Sequence, residues 1–386
     1  MSLTGLIRLL VPAGIAFALL ARVVRRKNVD LIARAAFSRR RVGYEGTRHL
    51  FFAIVDHFEP FWHNRDRAVA LSRVEPWHRR YAEIAERFRD RGGRPPRHAF
   101  FYPEEEYPLA PECVEMLAAL YRRGLGEVEV HLHHDHDDSA ALRARLLAYK
   151  HALRDRHGLL HSDPQSGETV YAFIHGNWVL ANSGVRGSGC GVDDELVVLR
   201  ETGCYADYTL PSAPHPSQPP MINRIYYAAG DHTRARAHFR GRDAERGKAG
   251  GPGPLLVTGP LAVNWRRRRR GLIPAIENGD LTGLNPPSAD RVDAWVRANV
   301  AVAGHPRWIF VKAYTHGAQE RNARRLLGEG PGSLAGLFTD LLARYDDGDR
   351  YVLHFSTPWE MYRAVKVLES DDAAAIAAIE RFSYPF

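Results

Sequence analysis

The stretch HLFFAIVDHFEP, residues 49 to 60, joins a continuous apolar run to a polar end. Apolar residues on both faces are typical of a strand that is buried inside a parallel sheet. The polar end begins at Asp56 and His57, and a carboxylate without a partner is costly to bury there. The stretch therefore predicts a central strand whose carboxyl end carries chemistry, with Asp56 liganded, hydrogen-bonded or catalytic.

Six further stretches read as strands and alternate with helical patterns. They are RHAFFYPEEEY (97–107), EVEVHLHH (127–134), TVYAFIHGNW (169–178), CYADYTLPS (204–212), RWIFVKAYTHG (307–317) and RYVLHFSTPWEM (350–361). Strands that alternate with helices predict an α/β protein with a parallel sheet, and seven of them favour a closed or nearly closed (β/α) barrel. Polar side chains fall at the strand ends, where such barrels build their active sites.

The segment from residue 211 to residue 300 differs in composition from the rest of the chain. It is rich in proline, glycine and arginine and contains five consecutive arginines at 266–270. Because the rhythm of strands and helices resumes after it, we interpret it as an insertion between strands five and six of one domain spanning 46–386. The arginine run is interpreted as a solvated loop, with contact to an anionic polysaccharide or phospholipid surface as the alternative.

Residues 1–45 form a separate N-terminal segment. Its apolar run, residues 9 to 21, is short for a membrane span and is followed by four basic residues within six positions. That basic flank does not fit a signal-peptide cleavage site. We therefore expect contact with a membrane surface, in the cytoplasm or at the cytoplasmic membrane, and the sequence leaves export open.

Composition limits the partners and the cysteine chemistry. With 386 residues and 45% hydrophobic content the chain can bury a full core. A formal charge of +8 favours anionic partners, but no nucleic-acid-binding motif accompanies the arginines, so we expect no nucleic acid partner. Of the three cysteines, Cys190 and Cys204 could pair in an exported protein; three reduced thiols are the simpler expectation.

The densest group of titratable residues is EVEVHLHHDHDD, residues 127 to 138. The period of two along a strand places His131 and His133 on one face, which is a metal-ligand geometry. Asp135 follows in the turn and could complete the ligand set. Nitrogen and oxygen ligands suit zinc first, and also iron, manganese or nickel. The sequence thus predicts a metal site with His131 joined by His133, by Asp135 or by both.

A solvated turn is the alternative interpretation of this group. The histidines would then cap the helix that we expect to begin at Ser139, and Asp137 and Asp138 would be favourable near its N-terminus. This alternative explains the aspartates. It does not explain imidazoles within a strand, which need hydrogen-bond or metal partners when buried.

The order of these motifs resembles the polysaccharide deacetylase family, the NodB-like carbohydrate esterases. FAIVDHFEP (52–60) looks like the family's first motif, EVEVHLHHD (127–135) like its histidine motif and WIFVKAYTHG (308–317) like its late histidine strand. The resemblance implies a distorted seven-stranded (β/α) barrel of the glycoside hydrolase/deacetylase type. It also implies a divalent metal, most often zinc, and deacetylation of an N- or O-acetylated glycan.

The chain departs from the family at two positions. Asp56-His57 stands where the family has two adjacent aspartates, and Asp135 stands four residues after His131, where the family has its second histidine. These departures leave the ligand set open among His57, His131, His133 and Asp135.

Roles in catalysis follow from the same resemblance. Asp56 would take a proton from water and His316 would donate one to the leaving amine, with His354 as the competing donor. Side chains at the strand ends could orient or stack on a sugar. These substrate-binding candidates are His175, Asn177, Trp178 and Trp359.

Two other functions fit the sequence. A glycoside hydrolase on a similar barrel would need two carboxylates about 5 to 10 Å apart at the barrel mouth. The candidates for that pair are Glu59, Glu104, Glu105 and Asp207. A barrel that binds glycans without catalysis would follow if the altered first motif cannot hold a metal.

Overall fold

The computed structural model describes residues 30, 31, 33, 46–248, 250–269, 271 and 273–384. The apolar run at 9–21 and its basic flank, which carry the predicted membrane contact, lie outside the described residues. Within the described ranges, no helix has both the length and the apolar character needed to cross a bilayer.

The seven strands expected from the sequence are all present, and the segment 211–300 adds others. The strands are β1 (Arg48–His57), β2 (His98–Pro103), β3 (Gly126–Leu132), β4 (His161–Ser162), β5 (Thr169–His175), β6 (Cys204–Asp207), β7 (Arg224–Ala228), β8 (Gly241–Asp243), β9 (Leu255–Thr258), β10 (Ala262–Arg269), β11 (Ile273–Glu277), β12 (Asp280–Leu281), β13 (Trp308–Thr315) and β14 (Tyr351–Phe355).

Among the described residues, α-helices follow seven of the fourteen strands. They are α1 (Arg67–Pro76), α2 (Ala82–Ala85), α3 (Pro111–Arg122), α4 (Ser139–His157), α5 (Glu195–Thr202), α6 (Ala289–Ala298), α7 (Glu320–Leu326), α8 (Leu334–Tyr345), α9 (Pro358–Ser370) and α10 (Ala373–Glu380). A π-helical turn, Trp77–Tyr81, joins α1 to α2.

One large, mainly parallel sheet organises the molecule, which confirms the α/β class. Its order is β12-β13-β1-β2-β3-β5-β6-β9-β7-β8, with β14 paired to β1 and β4 paired to β5. Among the described strands, no pairing joins the edges β12 and β8, so the sheet is not closed. The expected seven-stranded barrel is therefore not confirmed.

The segment 211–300 explains why the edges stay apart. Its strand β9 pairs in parallel with β6, and β7 and β8 extend the sheet beyond it. Its last strand, β12, pairs with β13 at the opposite edge. The same segment thus supplies the outermost strands on both sides.

Strand β1 is the centre of the sheet. It pairs with β13 along nearly its whole length, with β14 along its first half and with β2 along its second half. One face carries Leu50, Phe52 and Ile54 into the layer of helices, and the other face belongs to a second apolar cluster. Each fully buried apolar side chain contributes about 1.5 to 3 kcal/mol, so both faces stabilise this strand.

Helix α9 packs on the second face of β1. Thr357 and Glu360 form a capping box at its N-terminus, and Pro358 occupies the first turn. Its buried apolar side chains belong to the same cluster as Phe51 and Val55 of β1. The helix therefore covers the face of β1 opposite the one that carries Leu50, Phe52 and Ile54.

Two local expectations are corrected. Asp138, not Ser139, caps α4, because its carboxylate accepts the N–H groups of Ala140 and Ala141. The arginine run does not lie in a loop: residues 266–269 belong to β10, which pairs with β11 in an irregular hairpin. All three cysteines are buried free thiols, so the alternative bridge between Cys190 and Cys204 is not formed.

Candidate metal centre

A buried carboxylate, Glu59, lies among imidazoles at the carboxyl ends of β1, β3 and β13. Its Oε1 is 3.4 Å from His131 Nε2 and 3.1 Å from His133 Nε2. Its Oε2 is 3.2 Å from Nδ1 of His316. His57 is the fifth member, and His57, Glu59 and His131 offer ligand atoms that all lie within 4.8 Å of one another. We call these five residues the Glu59 cluster.

The chain after β1 directs Glu59 inward. Phe58 is fully buried, with its ring 5.0 Å from that of Phe100. The guanidinium of Arg73 donates to the carbonyls of Pro60 and Trp62 at 2.8 Å. The turn that follows β1 is therefore anchored on both sides of Glu59, whose side chain is only 4% exposed.

Burial and mutual proximity set the protonation of the inner residues. Burial lowers the pKa of His57 well below its ordinary value, and the neighbouring His316 and His131 add to this. Burial also lowers the pKa of His131. Burial alone would raise the pKa of Glu59, but the imidazoles of His131, His133 and His316 beside it outweigh burial and lower that pKa well below the usual range. Two neutral imidazoles and a carboxylate anion are the ligand forms of these groups.

Unsatisfied ring nitrogens show that the cluster fits a cation. Both nitrogens of His131 and Nδ1 of His57 are buried and have no hydrogen-bond partner among the described residues. Buried polar groups are normally paired, and an unpaired one costs about 1 to 3 kcal/mol. A divalent ion beside Glu59 would supply the missing partner for His57 and His131. Nitrogen and oxygen donors without sulfur suit zinc and other first-row metals.

His133 lies on the solvent side of the cluster with a second carboxylate. Its Nδ1 is 2.5 Å from Glu105 Oε1, and its side chain is 31% exposed. Burial opposes protonation of His133, but the bonds to Glu105 and Glu59 outweigh it and raise its pKa to about 10. A carboxylate that holds one ring nitrogen fixes the orientation of the other. The pair is thus oriented toward Glu59 and accessible to solvent.

Asp56 points away from His57, since successive side chains of a strand alternate between faces. Its Oδ2 is 2.8 Å from His98 Nε2, and its Oδ1 accepts the N–H of Gly317 at 2.7 Å. A methyl group added at Gly317 would lie 2.1 Å from Asp56 Oδ2, so only glycine permits this approach. Asp56 therefore holds the backbone directly after His316.

Trp178 is the predicted substrate-binding residue that lies at the cluster. Its ring stacks on that of His57, with centroids 4.6 Å apart and planes at 19°, and it remains partly exposed. Gly176 lies nearby, and a methyl group added there would be 2.3 Å from Cδ2 of His133. The loop after β5 therefore borders the Glu59 cluster closely.

Three other predicted residues lie close by but outside the Glu59 cluster. Asp135 is exposed and accepts the N–H of Gly189 at 2.7 Å. Asn177 donates through Nδ2 to the carbonyls of His134 and Gly189. His175 is fully buried, and its ring centroid is 4.5 Å from that of His134.

Two predicted residues, His354 in β14 and Trp359 in α9, lie away from the cluster. His354 pairs in register with Phe51, six residues before His57, which is about 20 Å along the strand. Its ring nitrogens meet His49 and Tyr384 instead. Trp359 is buried and stacks on His161, with centroids 4.8 Å apart.

Two of the four carboxylates proposed for a glycosidase are engaged elsewhere. Glu104 forms an ion pair of 2.6 Å with Arg145. Asp207 is buried and accepts the hydroxyl of Thr209 at 2.7 Å. The other two, Glu59 and Glu105, both bind His133.

Sequence reasoning did not single out His98, Cys190 or Glu195 for this face of the molecule. His98 begins β2, and its role as partner of Asp56 follows from the pairing of β1 with β2, which no local pattern reveals. Cys190 and Glu195 meet His134 and His175 in a second buried group. The one available signal was His134 itself, because the period of two that places His131 and His133 on one face does not place His134 there.

Comparisons with known proteins add little to this geometry. No protein-family model matches the chain, and no curated protein matches it. One solved structure, described as "putative polysaccharide deacetylase from Mycobacterium smegmatis", is similar to 84% of this chain and 93% of its own, with 16% identity and a TM-score of 0.42. A similarity of this size carries no argument about function.

Proposed function

We propose that the protein is a divalent-metal-dependent hydrolase that removes acetyl groups from an acetylated glycan. The observation that carries the proposal is the buried Glu59 carboxylate among histidines at the carboxyl ends of three parallel strands. That edge of a parallel sheet is where α/β enzymes bind their ligands. The choice of an acetylated glycan rests on the order of the sequence motifs.

The inner residues would hold the ion. His57, Glu59 and His131 are buried and offer their ligand atoms to one point. A bound divalent cation would polarise the acyl carbonyl and lower the pKa of a water molecule. The ring of Trp178 covers His57 and shields this side of the site from bulk solvent.

The outer residues would move protons. His133 and His316 are 31% and 22% exposed, so both reach the substrate side. We assign proton donation to the leaving group to His133, because its raised pKa of about 10 keeps it protonated. His316, oriented by Glu59 and by the Asp56–Gly317 bond, would then accept the proton of the attacking water. This assignment exchanges the donor role that the family resemblance gives to His316.

Recognition of the sugar would involve Trp178. It is the one predicted aromatic candidate at the cluster, and it is partly exposed. An aromatic ring beside the reacting group could pack against a sugar ring. Trp359, in contrast, is buried against His161 and has no such surface.

The proposal is tested by measuring bound metal and acetate release together. Purified protein is analysed for metal content and assayed on acetylated oligosaccharides, beside His131→Ala and the control His151→Ala. His151 is an exposed histidine of α4 and contacts no part of the cluster. We expect the wild type and the control to hold metal and release acetate, and His131→Ala to hold one equivalent of metal less and to release no acetate.

Each alternative function has its own outcome. Release of reducing ends without acetate would replace the proposal by a glycoside hydrolase. Binding of oligosaccharide without any release would indicate a glycan-binding protein. Equal metal content in His131→Ala and the wild type would show that the Glu59 cluster does not hold the ion.

A further inference from the structure

A second group of potential metal ligands lies behind the first. His134 follows β3, His175 ends β5, Cys190 lies in the loop after β5, and Glu195 begins α5. His175, Cys190 and Glu195 are fully buried, and His134 is nearly so. Their ligand atoms all lie within 4.8 Å of one another. We call these four residues the Glu195 cluster.

We propose that the Glu195 cluster is a structural zinc site, separate from the Glu59 cluster. Four ligands without an open position are typical of structural zinc. A thiolate and a carboxylate with two neutral imidazoles would balance the charge of a divalent cation. Such a site is neutral overall, which is the condition under which burying a charge costs least.

Three distances from the Glu195 carboxylate are near those of a tetrahedral site. Glu195 Oε1 is 3.0 Å from His134 Nε2 and 3.7 Å from His175 Nε2, and Glu195 Oε2 is 3.6 Å from the Cys190 sulfur. Ligands at about 2.0 to 2.3 Å from zinc lie about 3.3 to 3.7 Å from each other. The other pairs of ligand atoms lie within 4.8 Å, so shifts of up to about 1 Å would bring all four around one ion.

Unpaired groups point into the cluster. His175 Nε2 is buried and has no hydrogen-bond partner among the described residues. Val192 donates its N–H to the Cys190 sulfur at 3.4 Å, an arrangement that stabilises a thiolate. Nδ1 of His134 faces Asp137 at 3.9 Å, so a carboxylate stands behind this ligand.

Three contacts would have to yield. The N–H of Asn177 lies 3.2 Å from His175 Nδ1, which places the ring proton of His175 on Nε2. His134 Nε2 likewise carries its ring proton, which it donates to Glu195 at 3.0 Å, and the Cys190 thiol faces the same carboxylate. Binding of zinc through both Nε2 atoms would move each ring proton to the Nδ1 of the same histidine and would displace the thiol proton of Cys190 to solvent.

The site would fix the loop between its ligands. Residues 176–194 contain Trp178 and lie between His175 and Glu195, both of them ligands. Glu195 also accepts the N–H of Ala181 within this loop at 2.6 Å. An ion held here would keep Trp178 stacked on His57 without taking part in the reaction.

Cobalt substitution tests the site, because Cys190 is the one cysteine in either cluster. The protein is produced in zinc-poor medium supplemented with cobalt, and its absorption is recorded. We expect thiolate-to-cobalt charge-transfer absorption in the wild type, in His131→Ala and in the buried-thiol control Cys113→Ala. Cys190→Ala should lose this absorption and hold one equivalent of metal less than the wild type.

The wild-type spectrum alone can overturn the proposal. Absence of charge-transfer absorption from the folded wild type, or its persistence in Cys190→Ala, would show that no metal binds there. If Cys190→Ala does not fold, the variant Glu195→Gln is used in its place. Glutamine keeps the shape of the Glu195 side chain and removes its charge. The result does not depend on the Glu59 cluster, because His131→Ala changes only the sulfur-free group.

Discussion

His133 and His134 are adjacent in the chain and belong to different clusters. His133 Nε2 lies 3.1 Å from Glu59, and His134 Nε2 lies 3.0 Å from Glu195. The chain leaves β3 at this point, so one peptide unit connects the two groups. The proposed proton donor and a proposed ligand of the structural ion would therefore be neighbouring residues with separable effects.

Substituting these two histidines separately should affect different properties, kcat for His133 and metal content for His134. We expect His133→Gln to keep its full metal content and to lose a factor of roughly 10² to 10⁴ in kcat, because it removes a proton donor. We expect His134→Gln to lose one equivalent of metal. Metal analysis and kcat on acetylated oligosaccharides check both. Loss of metal from His133→Gln would make His133 a ligand.

Gly176→Ala should impair His133 without touching a ligand of either site. The added methyl group would lie 2.3 Å from the His133 ring, so the ring must move away from Glu59. We expect kcat to fall about tenfold or more, as a displacement of about 1 Å can do, with metal content unchanged. The control is Gly328→Ala, where the nearest atom is a backbone oxygen at 3.2 Å. Wild-type kcat in Gly176→Ala would contradict the assignment of His133.

The variant Asp56→Asn distinguishes two roles for Asp56, positioning of the backbone and proton acceptance as a catalytic base. Because both carboxylate oxygens are bonded on the helix side, we expect the free energy of unfolding to fall by about 1 to 3 kcal/mol. Activity should fall through the backbone of Gly317, while metal content and the shape of the kcat pH profile stay as in the wild type. Chemical denaturation and a pH profile measure these effects. If Asp56→Asn instead lost the acidic limb of the kcat pH profile and kept the wild-type free energy of unfolding, Asp56 would be the catalytic base.

Glu129 should make stability depend on pH. Burial raises its pKa to about 8, and the nearby Glu127 adds to this. The unfolded chain releases this proton near pH 4.3, so between about pH 4.3 and 8 the folded state binds more protons and stability falls as pH rises. Glu129→Gln imitates the protonated form: its amide oxygen can accept the N–H of Ala172, and its NH2 group can donate to the hydroxyl oxygen of Tyr205.

We therefore expect the melting temperature of Glu129→Gln to fall less between pH 5 and pH 8 than that of the wild type, by the linkage relation. Thermal unfolding at several pH values measures the slope. The matched control is Glu168→Gln at an exposed position, which should keep the wild-type slope. Parallel curves for Glu129→Gln and wild type would show that Glu129 is ionised in the folded protein.

Local patterns predicted the strands well because each strand is apolar over its own length. The run ending at Asp56 and the alternating stretch ending at His131 both became strands at the expected places. The α/β class follows from their alternation with helices. Closure of the sheet could not be predicted, because it depends on where β8 and β12 of the segment 211–300 pair.

The register of strand pairing explains why some candidate residues meet at Glu59 and His354 does not. His133 and His316 follow strand ends and meet at Glu59. His354 also lies near a strand end, but β14 is short and pairs with the first half of β1, so its end lies level with Phe52. The sequence shows where a strand stops and not which neighbour it stops beside. Glu195 was invisible for a related reason, since a glutamate at a helix start usually faces water.

The central position of β1 also determines when the protein can fold. Residues 48–57 leave the ribosome well before their partner strand β13, which begins at residue 308, and before α9, which begins at residue 358. At about 5 to 20 residues per second, the ribosome needs on the order of tens of seconds to supply them. During that time one edge of an apolar strand has no native partner. The nascent chain should therefore need chaperone protection until β13 and α9 have been synthesised.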